Sequence, residues 1–266
     1  MSVFSKVMSP GDGAAWITGA SGGIGKAVAL ALAEKGWTVF ATARSVDALA
    51  ALEVAGQSTP GQIIPLPGDV TDTGSMAECV GTITSQGPLA LAILNAGIYT
   101  PMRAINFDAQ TARDMIEVNL IGVTNTLAPV LEAMRAQGTG HIAVTSSVAG
   151  YRGLPDAAAY SATKAGLIAM CEALAMDLVD LGIRISVINP GFVETAATSV
   201  NTFEMPFLMQ PEEAAQRIVD GLGQPGFEIR FPRRFAILLR LIGLLPNRAY
   251  IWTVRKLLRW NGAEAP

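Results

Sequence analysis

The chain has 266 residues, half of them apolar, with two cysteines, one histidine and a formal charge of −3. That is enough for one large α/β domain with a buried core, and the charge gives no reason to expect nucleic acid as a partner. Cys79 and Cys171 form no disulfide framework and read as reduced thiols of a cytoplasmic protein; residues 1–15 read as no secretory signal, and no uncharged apolar run reaches the ~18 residues of a membrane span.

Short apolar or β-branched runs alternate with helical patterns. The first strand is expected at Ala14–Thr18, followed at once by "TGASGGIG", residues 18–25, and a helix over Gly25–Lys35 that stops at Gly36. Glycines at 19, 23 and 25 permit a tight turn and close approach of backbone to a phosphate, at a helix N-terminus whose free N–H groups favour an anion. The spacing is G-x-x-x-G-x-G, and the strand–turn–helix context is what such a motif requires. The second strand, Thr38–Ala43, runs into "ATARS", residues 41–45. NAD binding would place an acid about 20 residues past the glycines to hold the ribose 2′-hydroxyl. This chain has no acid there and offers Arg44, which suits a 2′-phosphate, so NADP(H) is expected over NAD(H).

Further strands are expected at Gln62–Pro67, Leu89–Asn95, His141–Ser147, Arg184–Asn189 and Glu228–Phe231, with helices at Thr73–Gln86, Thr111–Arg135 and Ala157–Leu181. Apolar strands separated by helices give a single doubly wound, Rossmann-type parallel sheet of about seven strands covered on both faces, with ligands at the carboxyl ends of the strands. One catalytic domain is expected over 1–232, including a substrate lid over 192–213, with a C-terminal extension over 233–266 packed on it.

"AAAYSATKAG", residues 157–166, puts Tyr160 and Lys164 one helical turn apart on a shared face. A phenol titrates near ~10, too high for neutral acid–base work. A neighbouring ammonium favours the phenolate, as would the positive nicotinamide of an oxidised cofactor. Tyr160 can then do the work usually given to histidine. His141 reads as structural, since no Ser/His/Asp order or metal-ligand spacing accompanies it, and no metal is expected.

Taken together and in order, "TGASGGIG" (18–25), "GDV" (68–70), "NAG" (95–97), "VNL" (118–120), "TSSVAG" (145–150), "YSATK" (160–164) and "NPGFVET" (189–195) make the chain resemble the short-chain dehydrogenase/reductase family over residues 14–231. The resemblance implies an NADP(H)-dependent alcohol dehydrogenase or carbonyl reductase with catalytic Ser147, Tyr160, Lys164 and Asn119. Ser147, with Ser146 as a rival, would hold the substrate oxygen. Tyr160 would give or take the proton, Lys164 would also hold the nicotinamide ribose, and Asn119 would support a water linking Lys164 to solvent. Gly19, Ser21, Gly23, Ile24 and Gly25 would form the phosphate turn, and Asp69 and Val70 would meet the adenine. Asn95, Ala96 and Gly97 would line the adenosine side, with Pro190, Gly191 and Thr195 beside the nicotinamide. For Asp69 and Asn95, strand-end capping stands as an equal alternative. The family also implies a homodimer or homotetramer through the two long helices. Dehydratase and epimerase activities occur in it as well, and an NADP(H) sensor without turnover is a further alternative.

The lid carries Phe192, Phe203, Met205 and Phe207, and Tyr99 and Tyr151 follow two strand ends; all six are candidate pocket residues for a hydrophobic ketone or alcohol, lipid-like, steroid-like or aromatic. The tail departs from the family pattern. Residues 1–229 carry a net −10 and residues 230–266 a net +7. Two amphipathic helices broken at Pro246 are expected, with Arg248, Trp252, Arg255 and Arg259 on one stripe and Ile251, Val254 and Leu258 on another face. Two readings stand: packing on the pocket or a partner subunit, or peripheral contact of 233–260 with an anionic membrane surface.

Overall fold

The computed structural model describes residues 6–200 and 205–257. Seven strands form one parallel sheet: β1 (Ala14–Thr18), β2 (Thr38–Thr42), β3 (Gln62–Pro65), β4 (Leu89–Leu94), β5 (Gly140–Thr145), β6 (Ile183–Pro190) and β7 (Glu228–Phe231), in the order β3-β2-β1-β4-β5-β6-β7. Side chains alternate across the sheet, so Ala15 and Ile17 enter one core while Trp16 enters the other. Trp16 keeps its indole satisfied in that core by donating Nε1–H to Thr42 Oγ1 at 2.8 Å.

The first core is closed by α1 (Gly23–Glu34), α2 (Val46–Gly56) and α7 (Pro211–Leu222), the second by α3 (Thr73–Gln86), α5 (Gly122–Gln137) and α6 (Ala158–Leu178). Helix starts carry side-chain caps: Ser45 accepts from Ala48 N, Asp72 from Ser75 N, and Asp108 from Thr111 N at the head of α4 (Ala109–Ile116). The expected stops at Gly36 and Gly182 hold, each with a left-handed backbone.

The helix expected over Thr111–Arg135 is in fact α4 and α5 joined by a π turn at Glu117–Ile121, and Asn119 is fully buried in that turn. Insertion of one residue per π turn has no compositional signature, which is why the sequence shows a continuous helix.

The strand order reverses between β1 and β4. That is where a doubly wound sheet opens a crevice at its carboxyl edge.

The tail forms α8 (Arg233–Gly243) and α9 (Asn247–Leu257), broken at Pro246. Arg152, in the loop after β5, clamps their junction: it donates to the carbonyls of Gly243 (2.6 Å) and Leu245 (2.7 Å) and to Asn247 Oδ1, and lies 4.0 Å over the Tyr250 ring. Tyr250 donates to Gly153 O at 2.8 Å. On α9 Tyr250 and Val254 are the buried pair; Ile251, expected to share the face of Val254, is exposed beside Trp252, and Leu258 and Arg259 lie outside the described residues.

Candidate active site

The first half of the site is made of backbone. A Cβ on Gly25 would lie 2.1 Å from Gly19 O, and one on Gly19, itself at φ +72°, would lie 2.7 Å from Ala96 Cα. Only glycine fits either place. Asn95 fastens the turn from β4: its Nδ2 donates to Thr18 O (3.3 Å) and Gly19 O (3.5 Å), while Asn95 N and Ala96 N donate to Thr18 Oγ1 at 3.0 and 3.2 Å. Asn95 thus does turn chemistry, the alternative the sequence left open. Gly23 sits under the methyl of Thr195, so the loop after β6 touches the phosphate turn. No side chain caps α1, so its first-turn N–H groups face the crevice ready for an anion. The cradle fits a dinucleotide pyrophosphate.

Arg44 is exposed at the end of β2. Its charge reaches Asp69, whose carboxyl is held below the usual range chiefly by Thr71, which donates N–H (3.0 Å) and Oγ1–H (2.9 Å) to Asp69 Oδ1. Val70 packs against Gly122, and its carbonyl accepts from Asn125 Nδ2 at 3.0 Å. Arg44, Asp69 and Val70 lie at the strand ends of the β2–β3 side, outside the cavity described below.

The polar centre stands at the ends of β5 and α6. Lys164 is buried and donates Nζ–H to Thr145 O at 2.8 Å, with Nζ 5.6 Å from the Tyr160 ring centroid. Both side chains line one cavity, as the i, i+4 spacing requires. Burial draws the Lys164 ammonium down to about 8. Burial also pushes the Tyr160 phenol up, and only a hydrogen bond with the Ser147 hydroxyl pulls the other way. The net direction for Tyr160 is upward, set by desolvation, where a lowering by Lys164 was expected.

The two serines divide clearly. Ser146 donates Oγ–H to Lys164 O at 2.7 Å and so ties α6 to β5. Ser147 Oγ faces the cavity, 3.4 Å from Pro190 O and accepting from Ala149 N at 3.1 Å. Asn119 ties its amide to the neighbouring loop and helix: Oδ1 accepts from Ile98 N (2.7 Å), and Nδ2 donates to Ile98 O (2.9 Å) and Thr163 Oγ1 (3.4 Å). Its side chain holds the 95–98 loop against Lys164, with a Cβ position on Gly97 only 3.6 Å from Lys164 Nζ.

The cavity measures about 620 Å³ and joins the glycine turn to an apolar chamber. Gly19, Ser21, Gly23, Ile24, Gly25, Asn95 and Gly97 line the first part, and Pro190, Gly191 and Thr195 its rim. Tyr99 meets Tyr160 edge-on, with ring centroids 5.0 Å apart. Phe192 and Phe207 line the chamber and flank Phe235 at 5.9 and 5.8 Å. Met205 lies outside the lining and Phe203 outside the described residues.

Tyr151 points elsewhere. Its hydroxyl donates to Glu228, which also accepts from Asn189 Nδ2 (2.8 Å) and pairs with Arg230 (2.6 Å) and Arg240 (3.2 Å). A buried carboxylate ringed by donors captured this phenol. His141 lies under β6 at the opposite end of the strand from Ser147. Its Nε2 is 2.9 Å from Ser186 Oγ, and burial holds its pKa well below the usual imidazole range.

The tail packs on the pocket, one of the readings the sequence left open: Phe235, Leu238, Leu239 and Ile242 of α8 and Val254 and Leu257 of α9 all line the chamber. The amphipathic pattern was visible; the direction of its apolar face was not.

A family model described as short chain dehydrogenase matches residues 13–204. An uncharacterised oxidoreductase of Myxococcus xanthus is 36% identical over 244 residues, covering 91% of this chain and 96% of that protein. A 3-oxoacyl-acyl-carrier-protein reductase of Thermotoga maritima is 34% identical over 214 residues, covering 76% and 87%. Among solved structures, an alcohol dehydrogenase of Thermococcus sibiricus complexed with 5-hydroxy-NADP superposes with a TM-score of 0.74 at 28% identity, covering 82% of this chain and 95% of the other. An actinorhodin polyketide ketoreductase variant with NADPH gives 0.75 at 26%, covering 84% and 97%.

Proposed function

The chain belongs to the short-chain dehydrogenase family, and from that membership we propose that it transfers a hydride between NADP(H) and a ketone or secondary alcohol with a hydrophobic body. The single observation that carries the proposal is the shared cavity: Ser147, Tyr160 and Lys164 stand between a glycine cradle and an apolar chamber.

NADP(H), when bound, supplies or accepts the hydride. The residues of the chain would do the rest. The glycine turn and the head of α1 would hold the pyrophosphate, and Arg44, where an acid would favour NAD(H), would meet the 2′-phosphate. Solved relatives named with hydroxy-NADP and NADPH support that preference. Ser147 Oγ would donate to the substrate carbonyl oxygen and share the charge that develops there. Tyr160, kept protonated by burial, would pass its proton to that oxygen as the C–H bond forms, and in oxidation would take one back. Lys164, fixed on Thr145 O, would stabilise the phenolate left behind. The chamber of Phe192, Phe207, Phe235 and Leu239 would exclude water and select apolar carbonyls. The ketoreductase and 3-oxoacyl reductase relatives favour carbonyl reduction as the reaction.

Ile116, Ile121 and Met176, exposed on the α4–α6 side, support self-association through those helices. Light scattering on the full chain would show a dimer or tetramer.

The functional test is NADPH consumption across a panel of carbonyls. Hydrophobic ketones should turn over faster than small polar ones. Tyr160→Phe should lose about 10²- to 10⁴-fold in kcat while still binding NADPH. Wild-type protein that binds NADPH and consumes none with any carbonyl would favour a sensor without turnover.

A further inference from the structure

The outer face of the tail is unlike the rest of the surface. Ile237 and Leu241 on α8, and Leu244 just past its end, are exposed by 45%, 59% and 82%, and Ile251 and Trp252 on α9 by 56% and 63%. No Asp or Glu occurs in residues 230–257, which hold seven Lys and Arg. Arg230 and Arg240 pair with Glu228, whereas Arg233, Arg234, Arg248 and Arg255 form no ion pair among the described residues. Lys256 lies 5.0 Å over the Trp252 ring, and a groove at this end of α9 is lined by Arg248, Ile251, Trp252, Arg255 and Lys256.

The same face borders the cavity mouth. Leu238, Leu257 and Phe207 are 48%, 59% and 60% exposed, and all three also line the chamber. The apolar patch and the cavity lining are thus one continuous surface.

We infer that the outer face of α8 and α9 docks on an anionic lipid bilayer, with the cavity mouth opening toward the acyl region. Three features choose lipid over another occupant. Aliphatic side chains and a tryptophan flanked by unpaired cations match a negative headgroup layer above hydrocarbon. The groove of two arginines and a lysine around Trp252 suits lipid phosphates at interfacial depth. A second copy seated here would close the cavity mouth, and the α4–α6 face offers a separate surface for self-association. Docking itself stands independently of catalysis; only delivery of substrate from the bilayer rests on the activity proposed above.

The test is co-sedimentation of the full chain with phosphatidylcholine vesicles containing or lacking phosphatidylglycerol. Wild type should pellet with the anionic vesicles and be released by high salt. Leu241→Glu/Leu244→Glu should cut the bound fraction more than about tenfold. Each of Arg248→Gln and Arg255→Gln should weaken binding by about fivefold, in line with ~1 kcal/mol per cation at a lipid surface. Circular dichroism and NADPH binding, which these outward-facing changes should leave intact, establish that each variant is folded. Wild type that stays in the supernatant with anionic vesicles overturns the proposal. So do folded leucine variants that pellet as wild type does, or that change the light-scattering mass without changing vesicle binding, because the face would then be a contact between copies. Failure of carbonyl turnover with vesicle binding intact would leave docking standing and remove only the proposed activity.

Discussion

One methyl added at Gly25 would stop 2.1 Å from Gly19 O, whereas Leu238, across the same cavity, is nearly half exposed and borders open space. The two halves are built from different materials. The cofactor half is backbone held against backbone, with Thr18 and Asn95 as its fasteners. The substrate half is a wall of apolar side chains, part of it carried by two tail helices. A turn that tolerates only a hydrogen restricts the sequence tightly. A wall that needs only apolar volume restricts it loosely. The family match covers residues 13–204 and stops before α8, so the glycine turn falls inside it and the tail's share of the wall outside.

The comparison can be broken from either side. Gly25→Ala should weaken NADPH binding more than about 100-fold, because the turn must shift by more than a few tenths of an ångström; fluorescence titration of NADPH measures it, and circular dichroism separates lost binding from lost fold. Arg44→Asp should move the NADPH-to-NADH ratio of kcat/KM toward NADH by about 10- to 100-fold, consistent with loss of a charge-assisted contact to phosphate. An unchanged ratio would free Arg44 of any role in cofactor choice.

Between the halves stands Lys164, whose ammonium burial draws down to about 8. Its charged form is present below that value and lost above it. If reduction needs the ammonium beside a protonated Tyr160, kcat/KM for a ketone should be level up to about pH 7 and fall about tenfold between pH 7 and 9. A flat profile through pH 9 would separate Lys164's charge from the rate. The smallest effect belongs to the apolar wall: Leu238→Ala should raise KM for a bulky ketone about three- to tenfold and leave kcat nearly unchanged, the value of a few methylenes in an adaptable pocket.

What the sequence showed follows the same division. β1 and β7 begin and end where the apolar runs do, β2, β3 and β4 stop one or two residues early, and β5 and β6 differ by one or two residues at both ends. The glycine turn and the Tyr160–Lys164 turn are local features, read from spacing alone. What stayed hidden depends on partners far along the chain. Tyr151 follows a strand end as Tyr99 does, yet Glu228, 77 residues on, takes its hydroxyl. Asn119 is buried by a π turn and binds Ile98, 21 residues back. The Tyr160 phenol is pushed up by desolvation, a property of the packed state that spacing does not show.

The central claim is that these two halves form one reaction chamber. Its most direct test is single turnover of the NADPH-bound protein, carrying deuterium at the transferred position, against a hydrophobic ketone such as a decalone, with mass spectrometry of the alcohol. Hydride transfer in one cavity predicts one deuterium at the carbinol carbon, lost in Tyr160→Phe. Binding of both molecules with no deuterium in any product would contradict it.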